Sequence, residues 1–367
     1  MHVGRQGTRK WGRRIAIALA LALALAAMPV AWIETACVGS PEPGPPRHAS
    51  LLEPEHRRDG INSYLTYPEW SIVHAYEDLA AVTRRSSESD YDYFGAIGRY
   101  WSSLCSITTL ASSRGTISNE YRVMLHVIGL SFAAEMGVKG LYEKTIGRIS
   151  SIFRGSRKTP EDEFALKVAE EYAGFLRQTP WYEYPFAARL GQFWSQTSLI
   201  GGNPLRKMER RLALTLEWGA KAIYATAIGI GAGATMPPVL RIRSVIADLL
   251  PEDVAADPRI TMIRRLPGGA SVIETDRYRT HTEIMRGLAA RGRNHVEIAG
   301  NTRILVTVIS PPDEPVILKD ATVLLDVPVQ ARPGWRRVGL DVEVSSLMAL
   351  MRSLEGSQLQ LEHVYDY

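Results

Sequence analysis

Four side chains in the first half of the chain have the chemistry of a proton-transfer site: His74, Glu77, His126 and Glu135. Histidine exchanges a proton near neutral pH, and a carboxylate beside it can orient the ring. On a helix with about 100° per residue, Trp70, His74 and Glu77 fall within about 60° of one another. The pattern therefore predicts one polar face, which His126 and Glu135 could complete from a second helix.

The same residues also fit a structural role. The His-x-x-Glu spacing at 74–77 reverses the Glu-x-x-His spacing of di-iron bundles. The sequence contains no CxxC, HExxH or clustered Cys/His motif, and no glycine-rich phosphate loop. We predict neither a metal site nor another cofactor. In the simpler interpretation, His126 is a hydrogen-bonded core histidine, while His74 and Glu77 face solvent or another helix.

Three start signals define the helices that must position these residues. Thr66 and Glu69 have the spacing of a capping box. Ser118 precedes an apolar segment, and Thr159 is followed by proline and two acidic residues. These signals predict a helical domain over residues 61–205.

The second of these helices contains two kinds of segment. The run 123–134, around His126, holds 12 residues without a formal charge. It is short for a membrane span and typical of a buried core helix. Glu135, Lys139 and Glu143 then follow at four-residue spacing, which predicts an ion-paired helix surface.

Three segments of the sequence resemble a known protein family. They are NSYLTYPEWSIVHAYEDLA (Asn62–Ala80), FGAIGRYWSSLC (Phe94–Cys105) and HVIGLSFAAEMGVKGLYEKTIGR (His126–Arg148). With TYPEW and AYED as its most specific parts, the chain from Asn62 onward resembles an uncharacterised bacterial membrane-associated family without an assigned activity. The resemblance implies an envelope location and a helical domain, and it transfers no catalytic residue.

The N-terminus has the pattern of a membrane-targeting segment. Residues 15–33 are 19 residues without a charge, close to the roughly 20 that cross a ~30 Å hydrocarbon core. Residues 1–14 carry five basic side chains and no acidic one, which predicts a basic cytoplasmic tail. We interpret 15–33 as a transmembrane anchor, with a cleaved signal peptide as the alternative. In either case the rest of the chain is exported.

The charge distribution excludes one class of partner. The whole chain has a net charge of +4, and the first 40 residues account for all of it. The remainder is balanced, so we predict no nucleic-acid partner. The predicted partners are the lipid bilayer and either another protein or further copies of this chain.

Two segments connect the anchor and the domains. Residues 34–60 are rich in proline and predict a linker, because such a composition cannot bury enough apolar area to fold alone. Residues 206–240 predict a second transmembrane or membrane-associated helix, with Gly229 and Gly233 as a small-xxx-small pair. A buried helix of the middle domain is the alternative. As a span, this helix would place the basic residues at 206–211 on the exported side, against the positive-inside tendency.

The period of the apolar residues changes from helical to alternating after residue 250, which predicts a C-terminal α+β domain over 250–367. The order of elements resembles a ferredoxin-like split βαβ sheet. Thr280 and Glu283 predict a capping box in the first of its two helices. The predicted strands and helices are Ile260–Arg265, Ala270–Thr275, Arg279–Arg291 (helix), His295–Ala299, Thr302–Ser310, Thr322–Gln330, Trp335–Val344, Ser345–Leu354 (helix) and Leu359–Tyr365.

Cysteine usage and the absence of strong motifs guide the functional expectation. Cys37 and Cys105 are too few for a disulfide framework, so two unpaired thiols are the simpler interpretation and one bridge is the alternative. We expect a bacterial inner-membrane envelope protein with its helical domain in the periplasm and a non-catalytic scaffolding, assembly or sensing role. The alternative is a membrane-bound enzyme that uses the His/Glu pocket on a lipid-like or quinone-like substrate.

Overall fold

The computed structural model describes residues 4–41, 48–155, 157–232, 240–318 and 320–367. A helical part comes first and an α+β part follows. The helices are α1 (Gly4–Ala36), α2 (Asn62–Leu65), α3 (Tyr67–Arg85), α4 (Tyr93–Arg114), α5 (Asn119–Tyr142), α6 (Arg148–Arg154), α7 (Pro160–Phe175), α8 (Phe186–Gln196), α9 (Pro204–Ala232), α10 (Pro251–Ala256), α11 (Arg279–Ala290) and α12 (Val344–Glu355). The strands are β1 (Arg241–Ala247), β2 (Thr261–Arg265), β3 (Ser271–Asp276), β4 (Asn294–Ile298), β5 (Arg303–Ser310), β6 (Ala321–Pro328), β7 (Arg336–Glu343) and β8 (Gln360–Tyr365).

Two of the four predicted helix starts have the expected caps. Ser118 accepts a hydrogen bond from the Tyr121 amide at the start of α5. Thr159 and Asp162 form a reciprocal capping box at the start of α7. Each cap satisfies amides that a helix leaves without an intrahelical partner.

The other two capping boxes were wrong. Thr66 itself has helical angles, and its hydroxyl donates to the Asn62 carbonyl, because the chain already turns helically from Asn62. In α11 the cap position is Tyr278, with a φ of 63°. Glu283 pairs instead with Arg279 of the same helix and with Arg259, which precedes β2. At Thr66, the helical turn that begins at Asn62 leaves no free backbone amide for the threonine side chain to cap.

Close contact between α4 and α5 depends on glycine. A Cβ on Gly129 would lie 2.5 Å from Tyr100 Cε1, and one on Gly140 would lie 2.7 Å from Tyr93 Cβ. The two helices are antiparallel, because Gly129 meets the middle of α4 and Gly140 meets its beginning. Glycine at both positions lets aromatic rings of α4 lie directly against the α5 backbone.

The α+β domain contains two four-stranded antiparallel sheets with the same topology. Their strand orders are β2-β3-β1-β4 and β6-β7-β5-β8. In each, three strands are followed by a helix and then by the fourth strand, which pairs with the first strand. A single ferredoxin-like sheet was predicted, so the second sheet corrects that interpretation.

The irregularities of the two sheets also coincide. The pairing of β1 with β4 shifts register after Val245, and that of β5 with β8 shifts after Thr307, the fifth residue of each first strand. The edge strands β2 and β6 each carry one extra residue opposite their neighbour, after Met262 and Val323. Bulges are specific features of a strand pair. We therefore describe the domain as a tandem repeat of one β-β-β-α-β unit.

The two repeats share one apolar core between α11 and α12. Most of their strands and helices were predicted from the sequence. All seven predicted strands and both predicted helices are confirmed within a few residues. Strand β1 was missed, because it directly follows the apolar segment that was assigned to a membrane helix. Without β1 the first repeat had only three strands, and the duplication was hidden. The shared core includes Ile284, Met285, Leu288, Leu347, Met348 and Met351.

The segment predicted as a free linker is partly docked on the first repeat. Glu297 of β4 is fully buried and accepts hydrogen bonds from the Ser50 hydroxyl and from the amides of Leu51 and Leu52, at 3.0 to 3.1 Å. His48 is a further partner of this carboxylate. Residues 42–47 of the predicted linker lie outside the described residues. A proline-rich segment that cannot fold alone can still bind along an existing sheet.

The helical and α+β domains pack directly on one another. The Ser63 hydroxyl of α2 donates to the Tyr365 carbonyl at 2.6 Å and accepts from the Leu305 amide at 2.9 Å. The Tyr64 hydroxyl donates to the Asp341 carboxylate at 2.6 Å. The start of the helical domain is therefore bonded to three strands of the second repeat.

Candidate functional site

The stripe Trp70, His74 and Glu77 on α3 lies at the contact with β8. The Trp70 ring is centred 4.0 Å from the His363 ring. His74 Nδ1 lies 3.3 Å from the Glu77 carboxylate, and its Nε2 lies 3.7 Å from Glu362 Oε2. The face predicted from the helical period is thus an interface between the two domains. Glu362 and His363 were missed, because only the fold brings β8 to α3.

Charge compensation in this cluster comes from arginine. Arg337 of β7 holds Glu362 through two hydrogen bonds of 2.6 and 2.8 Å. Burial would raise the pKa of Glu362, but the charges of Arg337 and His74 outweigh burial and lower it to about 2. Glu77 is paired with Arg177 of the α7–α8 connection. The carboxylates beside His74 are therefore ionised and already engaged.

His363 of this cluster is buried and neutral. Burial lowers the pKa of His363 to about 3, and its Nδ1 lies 3.3 Å from the Thr282 hydroxyl. A neutral ring stacked on Trp70 is an aromatic contact between domains. It is not poised to exchange protons near neutral pH.

Asp78, next to this stripe, holds a turn of the α+β domain. Its two carboxylate oxygens accept from the amides of Gln330 and Ala331, each at 3.0 Å. Arg85 donates to the carbonyls of the same two residues. Burial raises the pKa of Asp78, and these bonds with the Arg337 charge oppose it. The C-terminal half of α3 therefore clamps the β6–β7 connection.

The space beside His74 is small. A cavity of about 20 Å³ is lined by residues that include Tyr67, His74, Asp78 and Arg337. That volume accommodates about one water molecule. A lipid-like or quinone-like molecule does not fit into it in this conformation.

Glu135 belongs to a different cluster, between α5 and α9. It accepts from the Tyr76 hydroxyl at 2.6 Å and pairs with Lys221 at 2.7 Å. Lys139 pairs with Glu88 at 2.8 Å and with Glu217 at 3.1 Å. The predicted ion-paired surface on α5 was therefore wrong. Its charges point inward and find partners on other helices.

Arg210 is the centre of this inward network. Its side chain is 1% exposed and contacts Glu88 and Glu143 at 2.7 Å and Glu209 at 2.6 Å. Burial would raise the pKa of Glu88, but Lys139 and Arg210 lower it to about 2. Arg206 continues the network. Removing one partner of such a buried set leaves an uncompensated charge, which is strongly destabilising.

Arg206 connects the network to α7. It donates to Asp162 at 2.7 Å and to Glu209 at 2.8 Å. Asp162 is also the capping carboxylate of α7. The basic residues at 206–211 had been assigned to a membrane flank, where they conflicted with the positive-inside tendency. The three arginines are buried against carboxylates, and Lys207 donates to the carbonyls of Ser198 and Ile200. These contacts account for the basic residues without a membrane flank.

His126 lies in a third environment. Its Nε2 is 2.7 Å from Glu34 Oε1, and Arg122 contacts the other oxygen of Glu34 at 2.6 Å. The hydrogen bond from His126 is the main cause that lowers the pKa of Glu34. His126 and Glu135 are nine residues apart on α5, about 13.5 Å along the helix axis. Among the four predicted site residues, only His74 and Glu77 are in contact.

A disulfide lies beside His126. Cys37 at the end of α1 is bonded to Cys105 of α4, with a Cα–Cα distance of 5.0 Å. The expectation of two unpaired thiols was therefore wrong, and the alternative of one bridge holds. A cavity of about 20 Å³ between α1, α4 and α5 includes Cys37, Glu34 and His126 in its lining. Two cysteines in a sequence cannot indicate pairing, because that depends on how α1 lies on α4.

The described residues contain no group of three or more His, Cys, Asp or Glu side chains that could hold a metal ion. One helical run within them, Asn119–Phe153, is long and apolar enough by length and composition to cross a membrane. No protein-family model matches the chain, and no curated protein or solved structure matches it. The resemblance to the family with the TYPEW and AYED motifs stays a prediction.

Proposed function

We propose that this protein is a bacterial inner-membrane envelope protein with a non-catalytic role in assembly. Residues 15–33 of α1 anchor it in the membrane, and the helical and α+β domains form one exported body. The observation that carries this proposal is the Cys37–Cys105 disulfide. Disulfides persist in oxidising compartments such as the periplasm, and this one ties the end of the anchor helix to the helical domain.

The packing of the two domains supports a single location for both. The bonds from Ser63 and Tyr64 to β5, β7 and β8 support a placement of both domains on one side of the membrane. A span by α9 would separate them. We therefore propose that α9 associates with the membrane without crossing it.

The candidate site residues support a structural role. His74 and Glu77 lie at a domain interface, Glu135 belongs to an ion network, and His126 binds Glu34. The cavities beside His74 and His126 are each about 20 Å³, so neither admits a substrate larger than water.

Two experiments test the proposal. A reporter that is active only in the cytoplasm, fused after Tyr367, is expected to be inactive, and an export-dependent reporter at the same position is expected to be active. Activity of the cytoplasmic reporter would contradict the proposed topology. Purification in mild detergent at native expression is expected to recover the protein with a partner or as an oligomer. Recovery of a lone monomer would contradict the assembly role.

A further inference from the structure

We propose that the outward faces of α5, α6 and α9 form a lipid-contacting surface that lies in the acyl-chain region of the bilayer beside α1. We call it the α5/α9 face. The inference rests on the proposed α1 anchor and goes beyond it, because it places part of the helical domain itself in the membrane. The face consists of two uncharged helix stripes.

The first stripe runs along α5 and α6. Its nine positions recur at three- or four-residue intervals, all are exposed, and none is charged. The six large apolar members are between 52% and 70% exposed. At 1.5 Å per residue the stripe is roughly 40 Å long. Its residues are Val123, Val127, Ser131, Ala134, Val138, Leu141, Thr145, Ile149 and Ile152.

The second stripe runs along α9. It has seven exposed, uncharged positions with the same periodicity, and its large apolar members are between 55% and 76% exposed. It is roughly 33 Å long at 1.5 Å per residue. Both stripes are therefore long and continuous, so they can contact acyl chains over many residues without either helix crossing the bilayer. The residues of the second stripe are Leu205, Met208, Leu212, Leu216, Ala220, Ile223 and Ala227.

The two stripes are neighbours, because α5 and α9 pack side by side in antiparallel orientation. Three contacts fix this arrangement: Lys221 with Glu135, Lys139 with Glu217, and Arg210 with Glu143. As the residue number rises along α9, the residue number of the partner at α5 falls, so the two helices are antiparallel. These contacts lie on the inner side of both helices, so the outward sides form one surface.

Both helices have the reverse polarity of a helix that faces water. A surface helix of a soluble domain buries its apolar stripe and exposes its charged side. In α9, Arg206, Arg210 and Arg211 are at most 6% exposed, whereas Met208 and Leu212 are each 63% exposed. Contiguous exposed apolar surface of this extent marks an interaction site or a membrane contact. Charges directed inward and apolar side chains directed outward fit a hydrocarbon surrounding.

The direction of α1 identifies the bilayer as the occupant. The chain advances from Cys37, bonded to Cys105, to Gly39, whose amide donates to Ser112 at 2.8 Å. Traced backwards, α1 therefore points toward the beginning of α4. The end of α5 lies there as well, because Gly140 packs on Tyr93. The end of α5, with the exposed Val138 and Leu141, and the proposed membrane-spanning part of α1 thus extend to the same end of the helical domain.

The packed side of α1 supports this direction. The side chains of α1 that are not fully exposed recur at three- or four-residue spacing back to Ala26, so the helix follows the domain over several turns. Leu25 and Met28, on the other side, are 68% and 66% exposed. A membrane that surrounds this part of α1 therefore lies close to the end of α5.

Nitroxide labels on the full-length protein in phospholipid vesicles test the proposal. The native cysteines are bonded to each other, so a label attaches to one introduced cysteine at a time. Val138→Cys and Leu212→Cys probe the α5/α9 face at highly exposed positions. Lys167→Cys on α7 and Gln358→Cys in the α+β domain are matched exposed controls, and Leu25→Cys probes the anchor. Collision rates with oxygen, which partitions into lipid, and with a water-soluble nickel chelate are compared.

The expected result is a several-fold higher ratio of oxygen to nickel collisions at residues 25, 138 and 212 than at residues 167 and 358. A lipid signal at 25 with aqueous signals at 138 and 212 overturns the inference and leaves the anchor intact. Aqueous signals at all three positions overturn both. Dipolar broadening between labels at 138 or 212, removed by dilution with unlabelled protein, overturns the inference in favour of contact with a second copy of the chain.

Discussion

Trp70 of α3 and His363 of β8 stack with their ring centres 4.0 Å apart and their planes tilted by 33°. The contact joins the helical domain to the last strand of the α+β domain. Burial keeps His363 neutral by lowering its pKa to about 3, so the pair is an aromatic contact without a cation. Trp70 is 8% exposed, and its indole fills the interface between the two domains.

Replacement of Trp70 by alanine is expected to lower the free energy of unfolding by about 3–5 kcal/mol, because it opens a cavity at this interface. Urea unfolding in detergent, followed by circular dichroism, measures the change. Phe94→Ala is the control, since Phe94 is 49% exposed and its loss is expected to cost less than about 1 kcal/mol. Equal effects of the two substitutions would contradict the assignment of Trp70 to a buried interface.

His363 gives the stability a pH dependence of known sign. Its pKa falls from an ordinary 6.5 to about 3 in the folded protein, so below pH 6.5 the unfolded chain binds the proton more readily. The contribution of His363 to the free energy of unfolding is complete above pH 6.5. It is lost as the pH falls toward 3, by at most about 1.4 kcal/mol per pH unit.

Replacement of His363 by phenylalanine keeps a ring against Trp70 and removes the titrating group. We expect a flatter dependence of unfolding free energy on pH between 6.5 and 3, measured by urea unfolding at several pH values. The unsubstituted protein, measured at the same pH values, is the control. An unchanged slope in H363F would show that His363 is not buried and neutral.

How much the sequence could predict differs between local and long-range features. The strands and helices after residue 250 were placed correctly, because alternating and helical periodicities are local signals. The caps at Ser118 and Thr159 were found for the same reason. The inward direction of Arg210 was missed, since a basic residue in an apolar helix looks the same beside a membrane flank and beside Glu88 and Glu143.

The candidate site shows the same division. Helical geometry correctly grouped Trp70, His74 and Glu77 on one face. The partners of Trp70 and His74, however, are His363 and Glu362 at the other end of the chain, and Glu77 pairs with Arg177. His126 was expected to complete a pocket. Its partner is instead Glu34 at the end of α1, a contact that depends on how the anchor helix docks. Sequence spacing within one helix carries no information on such docking.

Loss of the disulfide is expected to destabilise the folded protein. Cys37→Ser removes a bridge with a sequence separation of 68, for which chain entropy gives about 4 kcal/mol. Thermal unfolding in detergent with and without reductant measures the effect. Cys105→Ser and the double variant are expected to show the same loss as C37S, because all three remove one bridge. An additive loss in the double variant would contradict the bond.

The docked segment before α2 provides a local test of the fold. Glu297→Ala removes the carboxylate that accepts from Ser50, Leu51 and Leu52. The same segment holds Arg57, which donates to the Leu52 carbonyl at 2.7 Å. We expect E297A to release residues 48–58 from β4 and to increase the rate of tryptic cleavage after Arg57 and Arg58 severalfold, measured by mass spectrometry of the N-terminal fragments.

Glu252→Ala is the matched control for this prediction, because Glu252 is an exposed glutamate of the same repeat. It is expected to leave cleavage after Arg57 unchanged. Protease attacks a segment in proportion to how often it opens, so selective cleavage at 57 and 58 indicates local release. Uniformly faster cleavage at arginines throughout the chain would instead indicate that Glu297 supports the whole fold, and equal rates in the two variants would show that Glu297 does not hold the segment.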